Sequence, residues 1–139
     1  MPLDSIVAAL NLDTIAIHPA GEPVTVIGRG VPALDAVVDA TVAAAGRRLD
    51  TDEEAAAFVQ RQDGWALMRA GVPAVMVGGS FSNMELLNAF LGGTYHGPGD
   101  EAGPGLVLEG AAEDANLLVA LGRRLGDPAV YARPREPQE

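Results

Sequence analysis

The chain has no cysteine, which excludes disulfides, Cys-ligated zinc and thiol nucleophiles and leaves the compartment unmarked by redox habit. It also has no lysine: its nine basic residues are all arginine, set against 19 Asp and Glu for a formal charge of −10. Charge of that sign repels phosphate backbones and anionic lipid surfaces within a Debye length, so neither nucleic acid nor a membrane is expected as a partner. No apolar run reaches the length of a membrane span. The start, Met1-Pro2-Leu3-Asp4-Ser5, lacks the basic and apolar regions of a secretory signal. As written, the sequence reads as cytoplasmic. What is present is ordinary: 139 residues, 48% hydrophobic and 20% charged, enough for one globular domain that buries roughly two thirds of its unfolded surface.

Ile6 to Leu12 is almost continuously apolar before it meets Asp13, as suits a strand covered on both faces in a mostly parallel sheet. Pro23 to Ile27 follows the turn signals Pro19 and Gly21, and the two strands could pair as an antiparallel hairpin. Pro73 to Val77 gives a third buried strand ending at Gly78-Gly79. Pro32 opens a helix on which Leu34, Val37, Val38, Val42 and Ala45 recur at helical spacing until Gly46. Thr51 and Glu54 have capping-box spacing before Ala55 to Val59, with a loop as the rival reading. Asp63 can cap a short helix from Gly64 to Ala70, Met84 to Leu91 forms another, and Glu109 to Leu125 is long, amphipathic and stopped by Gly126 and Pro128. Residues 1–128 thus form the domain and 129–139 a tail expected to fray, above all from Arg133 onward. The first strand has the composition of a central strand yet stands first in the chain. An unpaired apolar edge recruits another chain.

Three local patterns matter together: Asn11-Leu12-Asp13 at the end of the first strand, Arg61-Gln62-Asp63-Gly64-Trp65 leading into Ala70-Gly71-Val72-Pro73, and Tyr95-His96-Gly97-Pro98-Gly99-Asp100. Their order and spacing resemble the C-terminal half of the zinc aminopeptidases of metallopeptidase family twenty-eight, which includes bacterial leucyl aminopeptidases. The resemblance runs from about Leu3 to Leu125. It implies an α/β fold, a partial three-layer sandwich with a mixed, mostly parallel sheet and helices on its faces, lacking the N-terminal half of the family fold. Two zinc ions are the implied cofactors and a peptide the implied substrate.

Carried over position by position, the resemblance makes Asp13 a carboxylate ligand of one zinc and His96 an imidazole ligand of the other. Asp63, Tyr95 and Asp100 become supporting or pocket residues. In such a centre each zinc takes a nitrogen and a carboxylate while a bridging carboxylate and a water hold the pair together, making hydroxide available near neutral pH. The family's other His, its bridging Asp, a further carboxylate ligand and its general-base Glu lie upstream of the Asn-Leu-Asp strand. Only twelve residues precede Asp13, so these roles have no matching positions. Gln62-Asp63-Gly64 also departs from the family's Ser-Asp-His. The resemblance therefore implies a fragment or divergent member that is inactive alone, and whose parent could be secreted or periplasmic. A homodimer, or a complex with a separate N-terminal half through the first strand, is the expected assembly. A non-catalytic, self-associating module on the same scaffold is the alternative.

Without the resemblance the same residues have plainer readings. Asp13 caps a turn, His96 is a solvated loop histidine, Tyr95 packs, and Asp63 is an N-cap worth roughly 1 kcal/mol. His18, the only other histidine, would lie about 16 Å from Asp13 if the strand continued, and reads as a loop residue before Pro19. A small carboxylate enzyme working through Glu22, Glu85 or Glu101 finds no support in their spacing.

Overall fold

The computed structural model describes residues 1–134. Strands β1 (Ala9–Asn11), β2 (Thr25–Ile27) and β3 (Ala74–Gly78) form one sheet in the order β1-β3-β2. β1 lies parallel to β3, with Ala9 opposite Ala74, and β2 lies antiparallel to β3, with Val26 opposite Val77. The sheet is thus evenly mixed. The expected hairpin of β1 with β2 does not form: β3 inserts between them. The reason is visible in composition, since Ala74-Val75-Met76-Val77 is the one stretch buried along its whole length and takes the centre.

Alternation along β3 sends its side chains to two cores. Val75 and Val77 meet α1 (Pro32–Ala44) through Leu34, Val38 and Val42, and α4 (Glu109–Leu125) through Leu117, Leu121 and Leu125. Met76 points the other way, into a smaller cluster with Ile27, Ala55, Phe58 and Phe81. The remaining helices, α2 (Gly64–Arg69) and α3 (Met84–Leu91), match the sequence reading to within a residue. On α1 the buried face runs Leu34, Val37, Val38, Thr41, Val42. Ala45 is exposed, and the Thr41 hydroxyl is satisfied by donating to the Val37 carbonyl at 2.6 Å.

Three local expectations are corrected. The capping box at Thr51 is absent: Glu54–Arg61 is a 3₁₀ segment preceded by Glu53, whose side chain makes no cap bond. Asp50 and Asp52 instead accept the backbone N–H groups of Asp52 and Glu54, both at 3.0 Å, which holds the chain in successive turns. Asp63 occupies the N-cap position of α2 without capping it, because its backbone is already helical (φ −64, ψ −30) and its side chain cannot fold back. The Gln62 side chain accepts the Gly64 N–H at 2.8 Å in its place. The tail is tied down as far as Arg133: Tyr131 is 4% exposed and donates its hydroxyl to the Val7 carbonyl at 3.1 Å. The Arg133 guanidinium donates to the carbonyls of Leu3, Ile6 and Gly71. The expected fraying of 135–139 lies outside the described residues.

Candidate functional site

Asp13 follows directly from β1 and is exposed at the carboxyl ends of the two parallel strands, the end where ligands bind in open α/β sheets. Its carboxylate accepts a hydrogen bond from the Thr14 hydroxyl at 3.1 Å and makes no ion pair among the described residues. A cavity of about 50 Å³ opens beside it, walled by Phe58, Met76, Phe81, Leu87 and Leu91, with Arg61 and Tyr95 also lining it. A second, tighter cavity of about 20 Å³ shares Asp13 and runs inward past Asn11, Thr25 and Ser80 to Asp114.

The segment after α3 brings Tyr95 to the same cavity, while Asp100 lines a different one. Tyr95 packs against Phe90 at a 54° tilt, ring centroids 5.3 Å apart, and His96 stacks on Tyr95 at 3.9 Å with 20° between the planes. The Asp100 carboxylate accepts the His96 N–H at 2.9 Å. That bond helps hold His96 at φ 58°, and Thr14 sits at φ 54°. A non-glycine residue in the left-handed region carries backbone strain, and such strain gathers where a side chain is being aimed. Asp13 and Tyr95 therefore meet at one cavity with His96 stacked behind. Asp63 is exposed and absent from the lining of that cavity, where its neighbour Gln62 is present. Among the described residues, no group of three or more His, Asp or Glu side chains is arranged to hold a metal ion.

The sequence reading missed a polar knot. His18 is a loop residue as expected, but it is 0% exposed. Its Nε2 lies 3.0 Å from Asp114 Oδ2 and its Nδ1 lies 2.9 Å from the Pro19 carbonyl. Asp114, on α4 and 3% exposed, also accepts the Gly79 N–H at 2.8 Å and an Arg47 N–H at 3.1 Å. Arg47 donates as well to the Glu22 carbonyl at 3.1 Å, and its Nε lies 3.5 Å from Glu113 Oε1. Glu113 Oε2 accepts the Gly21 N–H at 2.8 Å. The ring is slotted between two backbones: a Cβ on Gly79 would come within 2.5 Å of it, and one on Gly110 within 2.3 Å. The available signal was weak. Asp114 and Gly110 stand inside the amphipathic pattern of α4, and a buried carboxylate there demands a cationic partner that spacing alone does not name.

Burial raises the titration of the Tyr131 hydroxyl above its ordinary value, partly offset by the Arg133 charge. Among the described residues no helix is long and apolar enough to cross a membrane. Compared with family models, with curated proteins and with solved structures, the chain matches none of them.

Proposed function

We propose that this chain supplies one wall of a two-zinc exopeptidase centre, with Asp13 and His96 each giving a ligand to a different ion. The cavity beside them then takes an apolar side chain of the peptide substrate. One observation carries the reading: Asp13, from the end of β1, and Tyr95, stacked on His96, come together at the carboxyl edge of the sheet. The donor types suit zinc, since imidazole nitrogen and carboxylate oxygen are its usual ligands alongside thiolate. Their number does not suit a tightly held ion. One protein ligand per metal falls short of the three that catalytic zinc sites use. No hydrolytic step is therefore assigned to the residues of this chain, and the missing donors belong to another polypeptide segment seated along the open side of β1.

The reading predicts that the purified chain retains substoichiometric zinc by elemental analysis and does not turn over a leucyl chromogenic substrate. Asp13→Asn and His96→Gln should each lower the residual zinc affinity. Tight stoichiometric zinc with robust turnover would contradict the incomplete centre, and a zinc affinity indifferent to both substitutions would remove the site.

A second reading, a self-associating module on the same scaffold, has its own observation. Among the described residues β1 pairs only with β3, and Leu3, Val7, Leu12 and Ile15, on either side of that strand, are 44–54% exposed. Exposed apolar surface beside an unpaired strand invites a second chain. Light scattering after size exclusion tests it: a homodimer is expected, and a monomer at all concentrations would count against it.

A further inference from the structure

We propose that His18 is a proton-operated latch that ties the loop between β1 and β2 to α4 and to the end of β3. Both ring nitrogens face groups that only accept hydrogen bonds. Nδ1 meets the Pro19 carbonyl, and Nε2 meets an Asp114 carboxylate oxygen that already accepts the Gly79 N–H. A neutral imidazole has one N–H and can satisfy only one of them, leaving a lone pair against a lone pair at about 3 Å at the other. The imidazolium satisfies both.

The charged groups facing the ring are Asp114 directly, Arg47 across Asp114, and Glu113 across Arg47. Glu22, on the same loop, uses its carboxylate on the Asn83 amide at 3.3 Å. β3 contributes only the uncharged Gly78 to this knot, followed by Gly79 just beyond its end. Glu113 is 31% exposed and screened by water, and Arg47 balances Asp114 by itself, so the protonated ring rests on the hydrogen-bond count and not on a sum of buried charges.

The fold offers two acceptors to the protonated ring and satisfies only one of them with the neutral ring, so loss of the ring proton undoes one of the two ties. The loop so released carries Thr14 into the wall of one cavity and Ile15 into the other, so the latch regulates the shape of the candidate site. The latch itself does not rest on the zinc reading, because it involves neither Asp13 nor His96.

The test uses the metal-free, full-length chain in EDTA. Ring-nitrogen NMR of His18, assigned by comparison with His96→Gln, should show both nitrogens protonated in the latched state. Protection against amide exchange at Gly21, Gly79 and Val107, whose N–H groups bond to Glu113, Asp114 and the Ala16 carbonyl, should fall together by about tenfold or more as the ring deprotonates. Amides of the α1 and β3 core should not follow. A ring with a single proton at every pH would overturn the latch, as would unchanged protection of those three amides across its titration. His18→Gln, provided it folds, should abolish the pH dependence at the three amides. The wild-type measurement decides the matter in either case.

Discussion

The molecule treats polar groups in opposite ways at two neighbouring places. In the knot around His18, Asp114 uses both carboxylate oxygens and the imidazole uses both nitrogens, all away from water. At the rim a few residues away, Asp13 and His96 are exposed, and neither forms an ion pair among the described residues. Asp114 and the His18 ring have no valence left for a ligand, whereas the exposed Asp13 and His96 do. The knot is thus read as architecture and the rim as the place where chemistry can be done.

Substitutions should separate the two. Asp114→Ala strips His18 and Arg47 of their shared counter-ion and is expected to cost about 3–5 kcal/mol by chemical denaturation. Gly110→Ala, which drives a methyl group into the His18 ring, should cost about 1–3 kcal/mol, measured the same way. Tyr131→Phe removes one buried hydrogen bond and should cost about 1 kcal/mol. Because the fold raises the Tyr131 titration above its ordinary value near 10, that residue's contribution is present below pH 10 and is lost as pH climbs through the raised value. The wild-type melting temperature should fall in that alkaline range, and the Tyr131→Phe melting temperature should fall less. Asp13→Asn and His96→Gln sit at the far end of the scale, within about 0.5 kcal/mol of wild type, while weakening zinc binding. A large stability loss at the rim, or none at the knot, would break the contrast.

Much of the helical frame was legible in the sequence. Pro32 and Gly46 bracket α1, Gly126 stops α4, and the apolar spacing between such signals is a local property. Strand order was not legible, because pairing β1 with β3 rather than β2 depends on which strand gains most from burial on two faces. The Thr51 capping box failed because Asp52 takes the Glu54 N–H that the Thr51 hydroxyl would have accepted. For the candidate site, the motifs pointed to Asp13, Tyr95, His96 and Asp100; the fold brings Asp13 and Tyr95 to one cavity with His96 stacked on Tyr95, while Asp100 lines another. Asp63 stays outside the first. His18 was hidden because its partners, Asp114 on α4 and the carbonyl of Pro19, become visible only once the loop has folded against the helix.

Under the proposed function, Asp13 and His96 face one shared site. Titrating the chain with cobalt(II) while recording amide spectra tests it most directly, since a paramagnetic ion broadens signals by proximity. The account predicts that Thr14, Tyr95 and Gly97 broaden together at the lowest cobalt concentrations, and that Asp13→Asn and His96→Gln each relieve the effect. Broadening at one of the two segments without the other, or first at the acidic Asp50–Glu54 stretch, would contradict it.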